Sequence, residues 1–398
     1  EFVTKIGESA FSGCTNLSNF KLPPNITKIN GSAFKGCESL TSLELPSGVQ
    51  TIESSAFENC KALKNISIPK KCENIWNNAF KSCTSLAKVN MQHGLKNIYS
   101  GAFYECDALN NVSIPDSVTS IGSQAFYGCD TLSDVQFGIG VKEIPDSAFR
   151  QCQSLIGITL PRYCTKVASN AFAENTKMTK VTVFPSITSI ENNSFSYPAK
   201  MTMRGVSGSY AQTYANNRKM TFEAINNPIT GLKFYKDSLD FSGTWETKVL
   251  PLSIAPSDGT EDITYTSADE KIATVENGVV KSVGYGTTTI TAQSGSNKAT
   301  ITINVLRSAN SVSLDKTELS MEVGDKATLK ATMNPSNATD KLTWSTSNAS
   351  VVTVDNGNVT AVGAGKATVI VTTTSGKTAS CTVEVTGSFT ITAEAGQV

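Results

Sequence analysis

One histidine, His93, occurs in the 398 residues. That scarcity removes most routes to general acid–base chemistry near neutral pH and to imidazole-bound metals. His93 falls in a turn position that Pro24, Ser47 and Lys70 hold in sister repeats, and it reads as a solvated turn residue. No His-Glu-x-x-His, glycine-rich phosphate loop or EF-hand loop is present. A small acidic cluster, Asp258-Gly259-Thr260-Glu261-Asp262, lacks calcium-ligand spacing and is expected to be a solvated hairpin loop. Net charge is missing as well: 34 basic residues balance 34 acidic ones, so no long-range field draws the chain to nucleic acid or to an anionic membrane. No apolar run approaches the ~20 residues that span a bilayer. The chain does not begin with Met and shows no leader peptide, so a secretion signal and an anchor are expected outside this stretch. What remains is a polar surface rich in Ser, Thr and Asn, with no framework for catalysis, a cofactor or a metal. A binding or structural protein is expected, not an enzyme.

What is abundant is repetition. Ala-Phe recurs at Ala10-Phe11, Ala33-Phe34, Ala56-Phe57, Ala79-Phe80, Ala102-Phe103, Ala125-Phe126, Ala148-Phe149 and Ala171-Phe172, followed by Ser194-Phe195. A Cys stands three residues after each Phe from Cys14 to Cys152, and Asn175 replaces it in the next copy. Around them run alternating apolar pairs such as Leu43/Leu45 and Ile66/Ile68, a frequent Pro (Pro23, Pro46, Pro69, Pro115, Pro161) and a closing Ile. Alternation of period two marks short strands with one buried face. Ser54 and Ser55, or their equivalents, are placed to cap a helical turn that tucks Ala56 and Phe57 inward. One unit cannot bury its own apolar face, whereas stacked units put Phe on Phe and Leu on Leu.

These motifs resemble the leucine-rich repeats of the treponemal, BspA-like type, whose A-F-x-x-C-x-x-L and I-x-L-P signatures stand throughout residues 3–195. The resemblance implies a solenoid and a surface-exposed adhesive role, with host matrix proteins or other cells as partners. After Phe195 the pattern breaks into strand, short helix and strand, which looks like the family's C-terminal cap at about 196–225. Val3 and Ile6 fall in register with Ile26 and Ile29, so further repeats are expected before residue 1.

Composition shifts at Asn226-Asn227-Pro228, and residues 228–306 then match 307–386 at a nearly constant offset. Tyr265-Thr266-Ser267 aligns with Trp344-Ser345-Thr346, and Asn277-Gly278 with Asn356-Gly357. Alternating segments around Asn-Gly turns imply β-sandwiches. Both segments resemble bacterial immunoglobulin-like group 2 domains. The first departs from that pattern at Tyr265, where the family has Trp, and at Lys281-Ser282. The expected fold is therefore mainly β: a leucine-rich-repeat solenoid with cap over 1–225, sandwiches over 228–306 and 307–386, and a tail or truncated domain over 387–398. Short linkers predict an extended, semi-rigid rod.

Seven of the ten cysteines occupy one slot in successive coils, about one strand spacing apart, with parallel Cβ vectors. Disulfides need closer, converging Cβ atoms. Free thiols acting as small buried hydrophobes are expected, and no Cys-x-x-Cys or His partner suits zinc.

Function is then a matter of surface. Lys21, Glu44, Ser67, Asn90, Ser113 and Gln136 are the outward positions of the main sheet, a ribbon of roughly 40 Å for eight coils. Trp76 and Tyr99 share one slot in adjacent coils, as do Tyr104 and Tyr127, and these slots are polar in other copies. These ten residues are the candidate ligand contacts, with Trp245 as a further exposed aromatic. The leading expectation is a monomeric, extracellular, cell-surface adhesin whose ligand is an extracellular protein. A non-catalytic glycan-capturing component and a pure spacer are the alternatives.

Overall fold

The computed structural model describes residues 3–256 and 258–387; the expected tail lies almost wholly outside them. The 23-residue period becomes a stack of coils joined by parallel strand pairing. One ladder runs through Lys28–Ile29, Thr51–Ile52, Asn74–Ile75, Asn97–Ile98 and Ser120–Ile121. It is taken up again by Glu143–Ile144, Lys166–Val167 and Ser189–Ile190. The second, wider ribbon pairs Asn65–Ile68 with Lys88–Met91, Asn111–Ser113 with Asp134–Gln136, and Gly157–Thr159 with Lys180–Thr182. In Asn65–Ile68 burial alternates, Ile66 and Ile68 in, Asn65 and Ser67 out.

Inside, nine phenylalanines from Phe11 to Phe195 stand in file. Successive ring centroids are 5.1–5.6 Å apart and successive planes lie within 11° of parallel. Seven of them, Phe34 to Phe172, are among the most fully buried large side chains of the chain. Each such burial stabilises by roughly 2 kcal/mol.

The turn that carries Ala-Phe is not a capped helical turn. Ser55 is itself left-handed (φ 57°), as are Ser32, Asn78, Gln124, Ser147 and Asn170 at the same slot. The left-handed residues aim alternate N–H groups along the stack: Ser32 donates to Ser54 O, Phe34 to Ala56 O and Gly36 to Glu58 O, at 2.7–3.0 Å. The next coil supplies the acceptors that a cap would otherwise provide. A left-handed non-glycine costs about 1 kcal/mol, and the coil-to-coil bonds offset it.

All ten cysteines are free, and every one except Cys14 is buried. They are more than hydrophobes. Cys37, Cys60, Cys83, Cys106, Cys129 and Cys152 each donate Sγ–H to the Phe carbonyl 26 residues earlier, at 3.1–3.3 Å. Asn175 continues this column, donating Nδ2–H to Phe149 O at 3.0 Å and accepting from Cys152 N–H at 2.7 Å.

Beyond the last repeat, Thr202–Gly205 and Thr221–Ala224 extend the wide ribbon by two parallel strands around the helix Tyr210–Asn217. Tyr210 Oη accepts from Ile190 N–H, and Tyr214 Oη donates to Glu191 O. The last narrow strand is thereby closed off.

Two sandwiches of identical topology follow. In the first, Ser238–Phe241, Asn297–Val305, Gly286–Ser294 and Thr264–Ser267 face Thr247–Val249, Val279–Ser282 and Ala273–Glu276. In the second, Glu318–Glu322, Thr378–Thr386, Gly365–Thr373 and Leu342–Thr346 face Lys326–Thr328, Asn358–Ala361 and Val352–Asp355. Each has its own apolar core.

The molecule is not an extended rod. The first sandwich lies back along the turn edge of the solenoid, and its linker is stitched to its own loop. Asn227 N–H donates to Thr260 Oγ1 (3.0 Å), Thr260 N–H returns to Asn227 O (2.7 Å), and Asn227 Nδ2 donates to Asp258 Oδ2 (2.8 Å). The loop 258–262 is therefore not simply solvated: Gly259 and Thr260 are buried.

Candidate functional site

Parallel stacking sets the outer ribbon. Lys21, Glu44, Ser67, Asn90, Ser113 and Gln136 are all exposed, one per coil, and so is Thr159. Much of the solenoid's charge is consumed between neighbouring coils on its flanks. Lys61–Glu38, Lys96–Glu73 and Lys166–Glu143 each pair at 2.8 Å across 23 residues. Such surface pairs add little stability, but they leave a face dominated by uncharged hydrogen-bonding groups. Lys21 to Ser113 stand on the open part of this face. Gln136 sits at the edge of a hollow of about 590 Å³ that also includes Thr159, Thr182, Arg204 and Ile254. Ile254 belongs to the first sandwich, which walls the ribbon at this end.

The four candidate aromatics are half-buried. Trp76 and Tyr99 stack at 4.3 Å and 1°, and Trp76 Nε1 donates to Thr51 Oγ1 at 2.9 Å. Tyr104 and Tyr127 stack at 4.7 Å and 3°. The Lys81 ammonium lies 4.9 Å from the Tyr104 ring and the Arg150 guanidinium 5.9 Å from Tyr127. That column is cation, ring, ring, cation, so its ring faces are spent internally. Trp245 differs: it is 68% exposed, at a left-handed backbone position (φ 68°).

A contact that the sequence reading did not anticipate joins solenoid to first sandwich. Arg162, 8% exposed, donates to the carbonyls of Gly259 and Glu261 and lies over the Phe184 ring. Tyr163 Oη and Tyr265 Oη share a hydrogen bond of 2.7 Å. Burial raises the phenol pKa of both and lowers that of the Arg162 guanidinium. Gly278 abuts both Tyr265 and Ile139: a Cβ there would lie 3.3 Å from each. Arg162, Tyr163 and Ile139 occupy turn slots that in other coils are held by Ser47, Gly48 and Lys70 among others. Tyr265 is the residue that departs from the tryptophan at the matching position, Trp344. Those departures were the available signal. Among the described residues no hydrogen bond or ion pair joins the second sandwich to the solenoid.

His93 is exposed; partial desolvation lowers its pKa, with Asp116 acting against that and Lys236 and Lys70 reinforcing it. Among the described residues no group of three or more His, Cys, Asp or Glu is arranged to hold a metal ion, and no helix is long and apolar enough to cross a membrane.

A stack of coils with a polar outer ribbon, followed by β-sandwiches, is a scaffold that presents surface for binding. The chain belongs to the BspA-type leucine-rich-repeat family, whose profile matches residues 1–110 and 96–207. Residues 308–383 match the bacterial Ig-like domain of group 2. An uncharacterised protein of Clostridium acetobutylicum is 34% identical over 188 residues, 45% of this chain and 19% of its own length. A lacto-N-biosidase of Bifidobacterium bifidum is 49% identical over 69 residues, 17% of this chain and 6% of its own. The chain thus spans a small part of either curated relative. Among solved structures, a leucine-rich cell surface protein of Faecalibacterium prausnitzii is 28% identical with a TM-score of 0.36, covering 55% of this chain and 66% of that one. The leucine-rich-repeat protein of T. pallidum is 29% identical with a TM-score of 0.33, covering 44% and 72%.

Proposed function

We propose that this chain is the ligand-binding part of an adhesin-like protein displayed outside the cell. Residues 1–225 form the treponemal-type solenoid and cap, and 228–306 and 307–386 are two group 2 Ig-like domains that act as its stalk. The ligand is an extracellular protein, of host matrix or of another cell, and the chain works as a monomer. The observation that carries the reading is the file of exposed residues from Lys21 to Ser113, in register and unobstructed. Flat polar ribbons of this kind gain affinity from many small contacts around a few anchors.

Immobilised chain is presented with a panel of extracellular-matrix proteins, and any binder is retested against the double variant Ser67→Arg/Asn90→Arg. Loss of binding with an unchanged melting curve is the expected result. Undiminished binding by that variant contradicts the ribbon as the contact face. A glycan ligand is the second reading, favoured by the Trp76–Tyr99 stack beside the Asn74–Asn97 side-chain hydrogen bond of 2.8 Å.

A further inference from the structure

Folding the first sandwich back on the solenoid creates a second concavity, on the opposite side of the turn edge from the ribbon hollow. It is a cleft of about 1030 Å³. That is the upper end of the size range for small-molecule sites and suits an oligomer better than a single ring. The solenoid wall supplies Lys70, Lys71 and Lys96, with the uncharged donors and acceptors of Thr51 and Asn74; the sandwich wall supplies Trp245 and Lys248.

Three features of this cleft point to one ligand chemistry. First, its charge is unbalanced. Glu73 is already paired to Lys96 at 2.8 Å, and Glu246 lies 3.9 Å from Lys248. Lys70 and Lys71 are exposed and form no ion pair among the described residues. Second, Trp245 holds a wide indole face out of both cores, 68% exposed, with the Lys281 ammonium 4.9 Å from the ring. Its left-handed backbone is an unfavourable conformation for a bulky residue, of the kind that collects at ligand sites. Third, most of the uncharged lining residues carry hydroxyl or amide groups, Gln50, Thr51, Asn74, Ser117, Thr119 and Thr247 among them, which suit the hydroxyls of a sugar.

We infer that this cleft binds an acidic oligosaccharide, one pyranose ring stacked on Trp245 and its carboxylate or sulfate groups met by Lys70 and Lys71. The site is separate from the outer ribbon and does not depend on that face binding anything. It does depend on the Arg162 contact, because the cleft has two walls only while the sandwich is docked.

The test is calorimetric titration of the full chain with an oligogalacturonate octamer and a heparin octasaccharide, which separate carboxylate from sulfate. Maltooctaose and a short polyglutamate peptide are the controls. Binding of at least one acidic sugar is expected, weakening as salt rises, with neither control binding comparably. Trp245→Gly, which removes the ring at a position glycine tolerates, should weaken binding about tenfold or more. Lys70→Gln/Lys71→Gln should also weaken binding and flatten its salt dependence. Arg162→Ala should reduce binding without touching any cleft residue, whereas Ser67→Arg/Asn90→Arg should leave it unchanged. Thermal melts of each variant separate loss of site from loss of fold. Failure of both acidic sugars to bind overturns the proposal. So does binding that is indifferent to Trp245→Gly in a folded protein, and so does polyglutamate binding as tightly as the sugars, which would mean charge alone.

Discussion

The two sandwiches share strand order, pairing and an Asn-Gly hairpin, yet among the described residues only the first is hydrogen-bonded to the solenoid. The difference is concentrated at one matched position. In the second sandwich Trp344 packs with its own core, its ring 3.2 Å from where a Cβ of Gly357 would stand. In the first, Tyr265 keeps its ring against the core and sends its hydroxyl across to Tyr163. A tryptophan has no atom that could make that bond in the same way. One residue difference within a shared architecture turns an internal packing position into an inter-domain contact. Arg162 adds the charge-assisted bonds that fix the register of the two bodies.

Alkaline pH should separate the two regions most strongly. The solenoid holds eight buried thiols (Cys37, Cys60, Cys72, Cys83, Cys106, Cys129, Cys152, Cys164), the second sandwich only Cys381. Burial pushes the Cys60 and Cys152 thiols up to about 12 and Cys72 and Cys164 to about 11, from 9.0. A folded-state pKa above the unfolded one favours the protonated fold. That stability is complete below pH 9 and is lost as pH rises through 9 towards 12. The loss is on the order of 1 kcal/mol per thiol by pH 10, so the solenoid should melt well before the second sandwich. Calorimetry under reducing conditions at pH 7 and pH 10 reads this out. Coincident downward shifts of both transitions would count against it.

Breaking each sandwich at its matched position comes next. Trp344→Ala should destabilise the second sandwich by about 3 kcal/mol, visible as a lower melting transition with the solenoid transition unmoved. Arg162→Ala should weaken docking of the first sandwich by about 2 kcal/mol, measured as faster amide exchange at Thr260 and Gly259 with the repeat core still protected. The smallest effect is expected from Tyr265→Phe. It keeps the ring and removes the hydroxyl, costing about 1 kcal/mol of docking and nothing in the sandwich's own core. A double-mutant cycle with Tyr163→Phe should show the two changes to be non-additive.

The stack was legible because spacing is a strong signal. Unbroken 23-residue steps allow one parallel register, and Phe34, Phe57 and Phe80 stand in file as that register requires. The alternating strands and Asn-Gly turns made the sandwiches legible for the same reason. What was illegible depended on contacts about 100 residues apart, such as Arg162 with Gly259 and Tyr163 with Tyr265. Periodicity says nothing about such pairs, and short linkers by themselves suggested a rod. Their trace lay in local departures: bulky residues at Ile139, Arg162 and Tyr163 in turn slots otherwise often small or polar, and tyrosine for tryptophan at 265. The cysteine column left a similar trace. Asn175 shares a hydrogen-bond donor with cysteine but not its hydrophobicity, and that exchange marks the slot as one that must donate. For the aromatics, adjacency was readable from their shared slots. Their mutual stacking, and the cations that cover both outer faces of the Tyr104–Tyr127 pair, follow only from the coil spacing.

Small-angle X-ray scattering on the full chain, alone and as Arg162→Glu, addresses the docked arrangement most directly. The predicted profile is compact for the native chain, with the first sandwich alongside the solenoid, and the substitution should lengthen the maximum dimension by releasing it. A native profile that already fits domains strung end to end, unaltered by Arg162→Glu, would contradict the account.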